Sequence, residues 1–154
     1  MSDTFTQLYA HIVFSVKNQK PFITHAREKE IYHCINGIIE HNGSETLIID
    51  GTPNHIHVLL KLNPSNAISD LVREVKRQSS FYINHHLLNK PSFRWDVGYS
   101  AFSHTRSQVN SVYKFIEKQK EYHANKNFRE EYLEIASWDE TSTDDELIFK
   151  YKYQ

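Results

Sequence analysis

The chain has 154 residues and 18.2 kDa, 39% hydrophobic and 24% charged, which is the size of one domain able to bury a core without staples. Nine Phe, nine Tyr and two Trp exclude a disordered chain. The single Cys34 excludes an internal disulfide framework, and apolar runs no longer than Val58-Leu59-Leu60 exclude a membrane-spanning helix. The net charge of −1 conceals an asymmetry: residues 1–129 hold 16 Lys and Arg against 11 Asp and Glu (+5), and residues 130–154 hold 2 against 8 (−6).

The basic body permits phosphate binding without demonstrating it. No charged start followed by an apolar stretch reads as a signal peptide, so a cytoplasmic protein is expected. Residues 1–138 are expected to form one domain, and 139–154 an acidic C-terminal tail that masks basic surface or packs on the body.

In chain order, residues 7–16 are β-branched and aromatic and predict a first strand. Residues 25–41 carry Ile31, Ile35, Ile38 and Ile39 at helical spacing and stop at Asn42-Gly43. Residues 45–50 and 55–62 predict two strands joined by the turn Gly51-Thr52-Pro53-Asn54. A long helix is expected over 67–87, with Ile68, Leu71, Val72, Val75, Phe81 and Ile83 among its apolar residues. Residues 93–103 read as a fourth strand broken around Gly98. Ser107 can cap a helix over 107–124 with an apolar stripe of Val109, Val112, Tyr113 and Ile116. A short helix over 128–136 follows. The first six elements, β-α-β-β-α-β, match an α+β ferredoxin-like split β-α-β domain with an antiparallel sheet and an extra C-terminal helix. That fold hosts many functions and selects none.

Two constellations can carry chemistry. His55 and His57 lie at i, i+2 on a strand, so both imidazoles face one way and can share a divalent metal. The same spacing also suits two polar residues on the wet face of a half-buried strand. Phe115 and Gln119 lie at i, i+4 beside the apolar stripe of the 107–124 helix, where the Gln amide oxygen can complete a metal site or simply face solvent. Basic and aromatic residues interleave at Lys17 and Lys20, at Arg73, Lys76 and Arg77, and at Phe93, Arg94 and Trp95. Such mixtures suit single-stranded nucleic acid, although Arg73 and Lys76 also suit a solvated helix face paired with Asp70 and Glu74. No phosphate-cradling Gly loop, dinucleotide fingerprint or zinc spacing occurs.

Six segments in order resemble one family across Thr4 to Trp138: Tyr9 to Val16, Thr52 to Leu60, Ile68 to Lys76, Phe93 to Ser103, Phe115 to His123 and Phe128 to Leu133. The chain resembles the insertion-sequence-200-like transposases, the single-tyrosine HUH transposases. The resemblance implies a homodimer whose active sites are shared between subunits, acting on single-stranded DNA with a hairpin at element ends. It implies that His55, His57 and Gln119 bind Mg²⁺ or Mn²⁺. It also implies a Tyr nucleophile that leaves a 5′-phosphotyrosine and a free 3′-OH. Here that position is Phe115, which has no hydroxyl, so fold and DNA binding are expected to survive while covalent strand transfer is lost. Phe115 is either a deliberate replacement or a natural divergence, and the retained His55, His57 and Gln119 favour the first. Tyr113 and Tyr122 are poor substitutes on a continuous helix, the one facing away and the other about 10 Å along the axis. Tyr122 also replaces the first of a His-His pair that often ends this helix in relatives. Arg73, Lys76, Arg94 and Trp95 are the candidates for DNA contact. The rival readings are a non-catalytic hairpin or single-stranded DNA-binding module derived from such a transposase, and a ligand-binding ferredoxin-like domain without DNA affinity.

Overall fold

A computed structural model describes residues 4–123 and 128–137. Four strands, β1 (Tyr9–Ser15), β2 (Glu45–Thr52), β3 (His55–Lys61) and β4 (Ser100–His104), form one antiparallel sheet in the order β2-β3-β1-β4. Helices α1 (His25–His41) and α2 (Ile68–Tyr82) make the two crossovers. This is the expected ferredoxin-like topology. Helices α3 (Val109–Glu117), α4 (Gln119–Tyr122) and α5 (Phe128–Ser137) follow the last strand. The expected acidic tail, 139–154, lies outside the described residues.

The sheet has helices on both faces, so its central strands lack the alternation of a half-wet sheet. All seven residues of β1 and the first six of β3 are buried. One face presents Ala10, Ile12, Phe14, Ile56, Val58 and Leu60 to Ile31, Ile35 and Ile39 of α1 and Leu71, Val72 and Val75 of α2. The apolar spacing read for α1 is the buried stripe itself. In α2, Phe81 instead points to solvent at 61% exposure, its ring against His85, and a π-helical turn over Ile83–Leu87 ends the helix. The opposite face presents Leu59, packed with Val112 and Ile116 of α3.

Three departures from the sequence reading matter for the site. The strand expected over 93–103 is regular only from Ser100, and its earlier part joins the sheet through a single bridge, Trp95 to Val16. The helix expected over 107–124 is capped at Thr105 rather than Ser107: the Thr105 N–H donates to Gln108 Oε1 at 2.9 Å, and a 3₁₀ turn leads into α3. That helix then breaks at Lys118, whose ψ of +20° separates α3 from α4.

Gly51 is required by close approach. A Cβ there would lie 2.2 Å from the backbone oxygen of His55, so any side chain would push apart the hairpin that carries His55 and His57.

Candidate metal and nucleic-acid site

The β2–β3 hairpin positions His55 and His57. The antiparallel register sets His57 opposite Val13 and Asp50, on the sheet face covered by α3. The turn is pinned by Val16 N–H to Asn54 O (2.9 Å) and Ile23 N–H to Pro53 O (2.8 Å). Both imidazoles are fully buried, so the solvent-facing alternative for this pair does not hold.

Each ring is oriented through its Nδ1. His55 Nδ1 lies 2.7 Å from Asn54 Oδ1 and 2.9 Å from Thr52 Oγ1. Since Asn54 Oδ1 only accepts, His55 Nδ1 carries the proton and Nε2 the lone pair. His57 Nδ1 lies 2.7 Å from Nε2 of His11, a buried residue on β1. His11 thus holds the second imidazole from behind, as outer partners of metal-ligating histidines do. Burial holds His55 at about 4, against an ordinary 6.5, leaving the ring neutral and able to ligate near pH 7. Burial, followed by His57 and His104, also lowers the pKa of His11 well below its ordinary value.

The residue that sequence reasoning missed is Glu131. It is fully buried on α5, with Oε2 3.2 Å from His55 Nε2 and Oε1 against His57 Nε2. His123, just after α4, contacts the same Oε2. Burial works to raise the Glu131 pKa, but His57 and then His55 outweigh it and keep the carboxyl below its ordinary range. The ligand atoms of His55, His57 and Glu131 lie within 4.8 Å of one another. Only the resemblance of the 128–133 segment hinted that α5 belongs near the site.

Gln119 opens α4 and is fully buried. One turn before it, the ring of Phe115 lies 6.0 Å from that of His57, and one turn after it, the ring of His123 lies 4.7 Å from that of His55. Its amide NH₂ donates to Phe115 O at 3.4 Å, while Oε1 has no hydrogen-bond partner. His57 Nε2 and Glu131 Oε1 also lack a well-directed hydrogen bond. A divalent cation fits this donor set, because it would satisfy three buried acceptors that otherwise cost stability.

The break at Lys118 also relocates Tyr122. Its ring packs 5.1 Å from that of Phe115, and its hydroxyl donates to Glu134. The tyrosine expected far along the axis therefore sits beside Phe115.

The four DNA-contact candidates meet along one groove of about 660 Å³ between α2 and residues 91–99. They meet in different states. Arg73 and Arg94 are exposed, with Arg73 bonded to Asp70 at 2.8 Å. Lys76 is turned inward, donating to Asp96 O at 2.8 Å and to Gly98 O, and burial lowers its pKa to about 8. Trp95 is core: its indole N–H donates to Ser79 Oγ at 2.9 Å and its ring meets Phe14 and Phe93 edge-on. A second cavity of about 330 Å³ shares Phe93 and Arg94 with this groove and adds Lys17, Lys20 and Arg27 to its lining.

The family described as "Transposase IS200 like" matches residues 4–119. The ISDra2 transposase TnpA of Deinococcus radiodurans is 24% identical over 118 residues, covering 73% of this chain and 84% of that protein. A crystal structure of a transposase from Deinococcus radiodurans R1 aligns with a TM-score of 0.63 at 19% identity, over 77% of this chain and 95% of that one. A REP-associated tyrosine transposase bound to a REP hairpin aligns with a TM-score of 0.60 at 15% identity, over 80% of this chain and 74% of that one.

Proposed function

The chain belongs to the IS200-like transposase family, and from that premise we propose that it binds hairpin-bearing single-stranded DNA ends at a divalent-metal site. We further propose that its covalent strand-transfer step is disabled at Phe115. The observation that carries this reading is the meeting of His55, His57 and the Phe115 turn of α3 on one buried sheet face.

His55, His57 and Gln119 would hold the Mg²⁺ or Mn²⁺, which when bound polarises the scissile phosphate and offsets its developing charge. The residues of the chain do the rest. Asn54 and Thr52 fix the tautomer of His55, and His11 fixes the ring of His57. Helices α3 and α5 exclude water from the pair. A hydroxyl at position 115 would attack phosphorus in line, forming the tyrosyl–phosphate bond and releasing the 3′-OH strand. Phe115 keeps the ring and lacks the attacking atom.

DNA is held along the groove and cavity that meet at Arg94. Arg73 and Arg94 supply exposed charge to phosphates, with Lys17 and Lys20 continuing the track. Lys76 and Trp95 serve this surface from beneath, by holding residues 95–98 in place. The relative bound to a REP hairpin supports a hairpin as the ligand. A homodimer with shared sites belongs to the same proposal. One chain already sets Phe115 beside its own His57, so sharing would be an exchange of α3 between subunits.

The second reading, a binding module without chemistry, is favoured by the missing hydroxyl alone. The test is incubation of the protein and its Phe115→Tyr variant with Mn²⁺ and single-stranded DNA from the flanks of the gene, reading denaturant-stable protein–DNA adducts. An adduct with Phe115→Tyr only is the expected result. Hairpin binding by both proteins with no adduct from either supports the binding module. An adduct from the unmodified chain, abolished by Tyr122→Phe, overturns the disabled-nucleophile reading and assigns the attack to Tyr122. Salt-independent or absent DNA affinity overturns the function as a whole.

A further inference from the structure

We propose that Glu131 is a ligand of the divalent cation, so that α5 completes the metal site with a carboxylate. This rests on the reading of His55 and His57 as a cation site and adds a ligand that neither spacing nor family resemblance assigns.

The histidine lone pairs face the carboxylate. His55 Nδ1 is bonded to Asn54 Oδ1, so its Nε2 faces Glu131 Oε2 as an acceptor at 3.2 Å. His57 Nδ1 is bonded to His11, and its Nε2 faces Glu131 Oε1 without a well-directed hydrogen bond. With the His57 proton on Nδ1, both sides of the cluster are acceptor facing acceptor. A cation shared by these atoms makes such an arrangement attractive.

Charge points the same way. His55, His57 and Gln119 as neutral ligands offer none, whereas hard cations such as Mg²⁺ and Mn²⁺ favour carboxylate oxygen. Glu131 is fully buried, and buried carboxylates are paired or coordinate metals.

The spacing also suits one ion. Two ligands about 2.0–2.2 Å from one ion stand roughly 3 to 4.4 Å apart. The three atoms here lie within 4.8 Å of one another, so a small adjustment, in which the touching His57 and Glu131 atoms part, seats them around one ion. His123, in contact with Oε2, holds the carboxylate in place, and Ile135, one turn on, anchors α5 with 2% exposure.

An ordinary buried ion pair between Glu131 and a protonated histidine is the competing account, and metal affinity separates the two. Mn²⁺ binding to the full chain is measured by the loss of the free-ion electron paramagnetic resonance signal, at pH 7.5 without DNA. His57→Ala serves as the control for the site. We expect Glu131→Gln, which keeps shape and removes charge, to weaken Mn²⁺ at least tenfold and to abolish the rise in Tm that Mn²⁺ gives the parent. Glu131→Asp should fall between. Parent-like affinity in Glu131→Gln overturns the proposal. If circular dichroism shows that variant unfolded, Glu131→Asp decides: weakened affinity upholds the ligand and unchanged affinity overturns it. A parent that binds no Mn²⁺, or a folded His57→Ala that binds it as tightly as the parent, overturns the underlying reading of the histidine pair instead, and the Glu131 proposal with it.

Discussion

The two faces of the central strands were built for different ends. On one face, Ala10, Ile12, Phe14, Ile56, Val58 and Leu60 meet the apolar stripes of α1 and α2. On the other, one residue out of step, His11, His55 and His57 meet Gln119 and Glu131 beneath the C-terminal helices. Both faces are equally dry. What differs is what burial does: on the first it stabilises by removing apolar surface from water, and on the second it strips water from polar groups, leaving His57 Nε2, Gln119 Oε1 and Glu131 Oε1 among those without a well-directed hydrogen bond. Apolar side chains dominate one face and buried polar groups gather on the other beside Leu59, and the period-two geometry of β1 and β3 keeps the two sets apart.

The apolar face is most vulnerable at Phe14, which is 1% exposed and packs edge-on against Trp95. Phe14→Ala should cost about 3–5 kcal/mol in urea unfolding. The same experiment on His11→Ala should cost less; an equal loss would mean that both faces carry the fold alike.

Acid acts on the polar face. Unfolded His55 takes up its proton near 6.5 and folded His55 only near 4, so the unfolded state binds more protons between those values. Metal-free stability should therefore fall as pH drops from about 6.5 towards 4, by on the order of 3 kcal/mol from this group, and His55 should contribute no further loss below that. Glu131, held below its ordinary range, adds a further loss below about 4.5. A His55→Asn variant should flatten the 6.5-to-4 stretch of the denaturation series, while Phe14→Ala should shift the curve without changing its shape.

His11 tests the chemical face alone. Removing the ring behind His57 should weaken Mn²⁺ binding by about 10–100-fold. Unchanged affinity would show that His57 is held by packing alone.

The smallest effects belong to the rim. Arg73→Gln and Arg94→Gln should each weaken hairpin binding modestly and reduce the salt slope by about 1. Lys76→Met should act differently, loosening residues 96–98 and lowering stability, because its ammonium holds the carbonyls of Asp96 and Gly98.

The order of elements, the α1 stripe and the His-x-His pair were all legible in the chain. Each is a local pattern, expressed within one helix turn, one strand or one motif. The groove residues were legible as a set and not in their roles. Composition shows a Lys and a Trp near Arg residues, while the direction in which Lys76 and Trp95 point is set by what packs against α2. The break at Lys118 carried no Gly or Pro to announce it, so periodicity ran through it and placed Tyr122 too far from Phe115. Glu131 lies 76 residues from His55. No spacing rule spans that distance. Only the docking of α5 onto the sheet brings its carboxylate to the imidazoles. The sequence by itself determined which strands and helices form and which face of each is apolar, because those depend on neighbours along the chain. The tertiary structure alone decided which polar groups share one dry space, because that depends on neighbours across it.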